Sequence, residues 1–145
     1  MKSRSNISYI FLDLDEVLAD FVGSALKIHG ISREELETHR EPGRWDITKP
    51  LGLSDDEFWE PIHAAGSGFW SGLDPLPWAD ELVGLVEETG VPWHVVTSPS
   101  RCPTCYDGKV RWLKDFFGAD FDRFIISPHK EIYAGPGRVI LDDRD

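Results

Sequence analysis

Four short runs of β-branched and aromatic residues punctuate this chain, and each is followed by a polar cluster. Ile7-Ser8-Tyr9-Ile10-Phe11-Leu12 precedes Asp13-Leu14-Asp15, and Val91-Pro92-Trp93-His94-Val95-Val96 precedes Thr97-Ser98-Pro99-Ser100. Phe124-Ile125-Ile126-Ser127 precedes His129-Lys130, and Arg138-Val139-Ile140-Leu141 precedes Asp142-Asp143-Arg144-Asp145. Runs of this length and composition read as buried strands. Segments of helical periodicity separate them, so the alternation predicts an α/β domain with a mostly parallel sheet and helices on both faces. Right-handed crossovers place every strand C-terminus on one edge. That edge is where open α/β sheets bind ligands.

Val17, Leu18, Phe21, Val22, Ala25, Leu26 and Ile28 recur at helical spacing and predict a helix closed by Gly30. Ser32 to Glu35 and Ser54 to Glu57 read as capping boxes that open two more helices. From about Phe21 to Leu73 the chain is helical and loop-rich, without a good strand. Trp45, Phe58, Trp59, Phe69 and Trp70 concentrate there. They suit either a small helical core or a surface that stacks a flat ligand. Asp74-Pro75-Leu76-Pro77 marks a boundary. Leu82, Val83, Leu85 and Val86 then give a helix up to Gly90, and Val110, Leu113, Phe116 and Phe117 predict another from about Lys109 to Gly118.

Asp13-x-Asp15 alone is compatible with a solvated turn whose acids cap the next helix. Its meaning changes once the other strand ends are added. Two acidic clusters, a pair of hydroxyls and a cation then share one edge. The 15 basic residues stand against 26 acidic ones, a net charge of −11, which disfavours a nucleic-acid backbone as partner. Small anions remain open to it, through local cations, backbone N–H groups or a metal ion, and acids at such a site call for Mg²⁺. No apolar run reaches membrane-spanning length, and Met1 to Asn6 is too short and polar for a signal peptide, so a cytoplasmic setting is expected. Cys102 and Cys105 form a C-x-x-C that could build a zinc or redox site with His94 and His129. The lack of a second cysteine pair favours two reduced thiols in a loop.

With four signatures in order, the chain resembles the haloacid dehalogenase-like superfamily: Asp13-Leu14-Asp15, then Thr97 or Ser98, then Lys130, then Asp142-Asp143. Within it, the 5′(3′)-deoxyribonucleotidases and their phage and bacterial relatives are most similar. Asp13 to Phe21, Phe69 to Pro77, Val96 to Pro99, Lys109 to Trp112, Phe117 to Phe121 and Leu141 to Asp145 carry that likeness, over nearly the whole chain. The resemblance implies a Rossmann-like three-layer core formed by residues 1–20 and 74–145, with a helical cap, residues 21–73, inserted after the first strand. It implies Mg²⁺-dependent removal of phosphate from nucleoside 5′-monophosphates, a small-molecule partner, and is compatible with a homodimer. Asp13 takes the nucleophile's place and Asp15 that of the acid/base. The metal ligands map onto Asp13, the Asp15 carbonyl, Asp143 and, in support, Asp142. Phosphate contacts map onto Thr97, Ser98 and Lys130, and the base and sugar pocket onto Phe21, Trp45, Phe69 and Trp70.

Three departures stand out. Glu16 occupies a position where most of the superfamily has glycine. Pro128 stands near where the nucleotidases have an arginine, which leaves Lys109 as the candidate second cation. The sequence given stops at Asp145, where the family continues with a further strand and helix. The implied chemistry is in-line attack by Asp13 on phosphorus, with Asp15 kept protonated by acidic surroundings and Thr97 and Lys130 steadying the phosphoryl oxygens. A phosphatase for another small phosphomonoester, and a non-catalytic nucleotide-binding module, are the competing readings.

Overall fold

The computed structural model describes residues 6–44 and 46–143. Its elements run β1 (Tyr9–Leu12), α1 (Phe21–Ile28), α2 (Arg33–His39), α3 (Asp55–Ala65), α4 (Ser67–Ser71), α5 (Ala79–Glu88), β2 (Trp93–Thr97), α6 (Thr104–Phe117), β3 (Phe124–Ile126), a 3₁₀ turn (Lys130–Tyr133) and β4 (Arg138–Leu141). The four strands form one parallel sheet in the order β3-β2-β1-β4. The expected α/β architecture is therefore present, with β1 in the interior of the sheet. Ile10, Phe11 and Leu12 are all buried although they alternate between faces. Burial on both faces is why this strand reads as a continuous apolar run.

The helix expected from Val17 begins at Phe21 instead. Leu14 to Ala19 closes a tight turn in which the Leu18 and Ala19 N–H groups donate to the Leu14 carbonyl at 2.9 and 3.0 Å. Asp20 N–H donates to the Asp74 carbonyl, and Leu76 N–H to that of Leu18, both at 2.8 Å. Val17 and Leu18 are buried in this turn. An apolar turn packed on the core thus imitates the first turn of a helix in sequence. Conversely, α6 starts at Thr104 rather than Lys109, because its first turn is polar. Ser54 and Glu57 make the full capping box, whereas Ser32 only accepts from Glu35 N–H at 3.1 Å.

Between β1 and α5 the described residues form helices α1 to α4 and no strand. Phe58, Ile62 and Trp70 from this segment join one buried cluster with β1, β2 and α6. Helix α4 lies directly on α6 at Gly108. A Cβ there would meet the Ser67 carbonyl oxygen and the Trp70 Cβ, each at 2.5 Å. Trp112 on the same helix donates its indole N–H to the Leu73 carbonyl at 2.7 Å. No helix among the described residues is long and apolar enough to cross a membrane. Gly108→Ala should force α4 off α6 and destabilise the fold by about 2 kcal/mol, read as a lower urea midpoint at an unchanged m-value.

Candidate active site

The parallel topology delivers the C-terminal ends of β1, β2 and β4 to one place. Asp13 follows β1, and its N–H donates to the Leu141 carbonyl at the end of β4 at 2.9 Å. Its carboxylate is buried and accepts from Leu14 N–H at 2.7 Å. Lys130, at the start of the 3₁₀ turn, donates to Asp13 at 3.1 Å and to Asp142 at 2.7 Å. Burial, and then the Asp142 carboxyl beside it, push the Asp13 pKa up to about 7, against the opposing pull of Lys130. Burial also opposes ionisation of Asp142, but hydrogen bonds from Lys130, Asp13 and Asp143 outweigh it and hold its pKa below the usual carboxylate range. One proton resting on Asp13 thus relieves a crowded set of acids.

Asp13, Asp142 and Asp143 each offer a carboxylate oxygen, all within 4.8 Å of one another. An all-oxygen set of carboxylates is the donor chemistry that suits Mg²⁺ rather than zinc. Among the described residues, the Lys130 ammonium pairs with Asp13 and Asp142 of these three carboxylates. A divalent cation fits that excess of negative charge.

Asp15 differs from expectation. Its surroundings are not simply acidic, because the Lys109 ammonium donates to its Oδ2 at 2.9 Å. Lys109 also donates to the Thr97 hydroxyl and the Ser98 carbonyl, both at 2.7 Å, and is only 1% exposed. All three ammonium protons are thereby used. Lys109 and Thr97, expected to reach phosphate, instead form a buried floor beneath Asp15.

A cavity of about 590 Å³ opens above this floor. Asp13, Asp15, Phe21, Trp70, Ser98, Lys130 and Asp143 line it, whereas Thr97, Lys109, Phe69 and Asp142 do not. Trp45 lies outside the described residues. Phe69 packs edge-on against Phe21 and Trp70. Trp70 is almost wholly buried, stacked on Phe21 at 5.5 Å with Lys109 over its ring at 5.1 Å. The more accessible aromatic on this wall is Trp59, which sequence reasoning counted among the clustered rings but did not assign to the pocket. Asp46, Thr48 and Asp55 also line the cavity and were not singled out. Asp46 and Thr48 lie in a loop and Asp55 within a capping box, so only the folded chain reveals their place at the cavity.

Glu16 resolves one departure. It has φ of +62°, alone among the described non-glycine residues in that region. The loop therefore takes the conformation that glycine would adopt freely. The Glu16 side chain has its own use, since Oε1 accepts from Val22 N–H at 2.7 Å at the start of α1. The zinc alternative finds no assembly among the described residues. His94 is bonded to the Tyr9 hydroxyl, His129 faces Glu131, and the only cluster of metal-ligating side chains is the acidic one. Cys102 and Cys105 are free thiols.

Carboxylates, a lysine and an adjacent aromatic cavity thus lie together at the C-terminal edge of a parallel sheet, where α/β folds bind their ligands. The family described as "5' nucleotidase, deoxy (Pyrimidine), cytosolic type C protein" matches residues 6–145, and the chain belongs to it. It is thus a member of a family of phosphoric monoester hydrolases. A Staphylococcus epidermidis protein named "Putative 5'(3')-deoxyribonucleotidase" is 29% identical over 139 residues, covering 92% of this chain and 70% of that protein. A Staphylococcus aureus protein of the same name is 28% identical over 141 residues, covering 92% and 69%. Among solved structures, a haloacid dehalogenase-like hydrolase from Xanthomonas campestris shares 10% identity at a TM-score of 0.48. A HAD family hydrolase from Deinococcus radiodurans, with bound phosphate and sodium, shares 15% at 0.47. The matches cover 86% and 84% of this chain, but only 64% and 58% of those chains.

A raised carboxyl pKa has a stability signature of fixed sign. Between about pH 4 and the Asp13 value of about 7, the folded state keeps a proton that the unfolded state has lost, so this group's contribution falls as pH rises. Asp13→Asn removes that slope. In metal-free buffer, the stability gap favouring the variant should widen from pH 4 to pH 7 and then level off, as read by urea denaturation at each pH.

Proposed function

We propose that the chain is a Mg²⁺-dependent phosphatase acting on nucleoside 5′-monophosphates, with deoxyribonucleotides preferred. The observation that carries this reading is the buried Asp13, grouped with Asp142 and Asp143, lining a cavity that Phe21, Trp59 and Trp70 also line. A phosphate fits the acidic, metal-binding end, and a flat base fits the rings of Phe21 and Trp59. Helices α1 to α4, within residues 21–73, act as the cap that closes the base end.

Asp13, Asp142 and Asp143, with the Asp15 carbonyl, would hold Mg²⁺, which when bound offsets the repulsion between the Asp13 carboxylate and a phosphate anion. Asp13 attacks phosphorus in line and forms an aspartyl-phosphate as the sugar oxygen departs. Asp15 donates a proton to that oxygen, then takes one from the water that hydrolyses the intermediate. Lys109, at 2.9 Å, fixes the Asp15 carboxylate and balances its charge when the proton has left. Ser98 and Lys130 line the cavity and hold phosphoryl oxygens as charge shifts. Phe21 and Trp59 seat the base, so that binding energy away from phosphorus orients the ester.

Purified protein should release phosphate from deoxynucleoside monophosphates with Mg²⁺ and lose this activity with EDTA. Asp13→Asn should lower kcat by at least about 10³-fold. Full turnover in either case refutes the mechanism, and preference for sugar phosphates over nucleotides refutes the substrate class. Trp59→Ala should raise KM for nucleotides by about tenfold while sparing p-nitrophenyl phosphate.

A further inference from the structure

The cysteine pair stands beside the active edge without a part in the phosphate chemistry. Cys102 precedes α6 and is partly exposed, whereas Cys105 lies in the first turn of that helix and is fully buried. The Cys105 N–H donates to the Cys102 carbonyl at 3.0 Å. A turn closed in this way holds its end Cα atoms within about 7 Å, the span that a disulfide can bridge. Cys102 Sγ lies 3.1 Å from the Thr104 hydroxyl, and hydrogen bonding there holds its thiol below the ordinary cysteine pKa. The accessible sulfur is thus the more readily ionised, and the thiolate is the form that reacts. Cys105 is tied to the cavity. Its Sγ accepts from Ser100 N–H at 3.3 Å, and the Ser100 hydroxyl accepts from Cys102 N–H at 3.4 Å. Ser98 and Ser100 both line the cavity. Lys109, one helical turn after Cys105, donates to the Ser98 carbonyl at 2.7 Å. The two thiols therefore sit between the loop that lines the cavity and the helix that carries its buried ammonium.

We propose that Cys102 and Cys105 form a reversible dithiol–disulfide couple, and that closing the disulfide shifts the Ser98–Ser100 loop and lowers turnover in the adjacent cavity. The oxidant is a small disulfide of the glutathione class. The Cys102 thiolate attacks one sulfur of that disulfide, the S–S bond breaks, and one small thiolate leaves as a mixed disulfide forms on Cys102. Cys105 then gives up its proton and attacks Cys102 Sγ, expelling the second small thiolate. The protein's thiols lose two electrons and two protons, and the oxidant becomes two thiols. Access assigns the first attack to Cys102 and leaves the resolving step to buried Cys105. The new bond draws the Cys105 sulfur toward Cys102 and away from Ser100 N–H, a donor that must then find another acceptor. The loop moves with it. The effect on turnover rests on the nucleotidase reading only in the choice of substrate.

Wild-type protein equilibrated in glutathione buffers of graded ratio, acid-quenched and alkylated in urea, reports its free thiols by mass spectrometry. Oxidising buffer should remove both alkylatable thiols with no glutathione retained, and dithiothreitol should restore them. Cys105→Ala should instead keep one glutathionyl group, because the resolving thiol is gone, and Cys102→Ser should keep none. Two free thiols in oxidising buffer overturn the couple, as does a lasting glutathione adduct on the wild-type protein. Both of those results are read on the wild-type chain, whether or not Cys105→Ala folds. With Mg²⁺ and either dCMP or p-nitrophenyl phosphate, oxidation should lower kcat/KM about tenfold. Dithiothreitol should reverse the fall, and Cys102→Ser should be indifferent to the buffer. A disulfide that closes with kcat/KM unchanged overturns the link to the cavity. Turnover of p-nitrophenyl phosphate that falls on oxidation, with no turnover of dCMP in the reduced protein, supports the couple and overturns the nucleotidase reading instead.

Discussion

A buried ammonium ties the active edge of this protein together. Lys109 reaches from α6 to the Asp15 carboxylate beyond β1, and to the Thr97 hydroxyl and Ser98 carbonyl at the end of β2. At 1% exposure it has exchanged water for these three acceptors. A charge so placed is tolerable only while its partners stay in position, and removing one partner of a buried pair costs about 3–5 kcal/mol. The ends of the two neighbouring strands are therefore held in register by electrostatics as well as by their backbone ladder. The same helix presents Gly108 to α4, so the residue before Lys109 sets how closely that helix approaches. Trp70, against that contact, lies under Lys109 and stacks on Phe21. Floor, aromatic wall and helix α4 thus share one support.

The acids of the site divide into two groups by their cations. Asp15 is held by Lys109, and Asp13 with Asp142 by Lys130. The first pair is buried on the lysine side, and the second borders the cavity. This explains how two lysines of similar apparent role in sequence do different work. Lys109 has its donors fixed within the protein. Lys130 bridges Asp13 and Asp142 and itself lines the cavity.

Much of the fold was legible in sequence because the strands are short apolar runs of β-branched and aromatic residues, and because each ends at a polar cluster. The clustering of Asp13, Asp142, Asp143 and Lys130 then followed from parallel topology alone. Three matters were hidden. The Leu14 to Ala19 turn buries the same residue types that a helix would, so periodicity could not separate them. The partner of Asp15 comes from a lysine 94 positions away along the chain, and no local pattern announces such a contact. Two further acids of the cavity, Asp46 and Asp55, lie in a loop and at an ordinary acidic helix start, where a carboxylate reads as a turn or cap residue.

Glu16 shows how a departure from a family pattern can be absorbed. A side chain at φ +62° strains the backbone relative to glycine, by roughly 1 kcal/mol or more. The carboxylate offsets part of that cost by accepting from Val22 N–H, while Asp20 accepts from Gly23 N–H at 2.8 Å. Two otherwise unsatisfied donors of the first turn of α1 are thus met by acids from the preceding loop, at the helix end that favours negative charge. Gly23 has no room for a side chain beside Asp20, where a Cβ would meet a carboxylate oxygen at 2.2 Å. The loop that carries Asp13 and Asp15 is in this way fastened to the helix that carries Phe21. Glycine at position 16 would relax the turn but release one of these two ties. The strained residue therefore joins the acidic loop of the cavity to its aromatic wall.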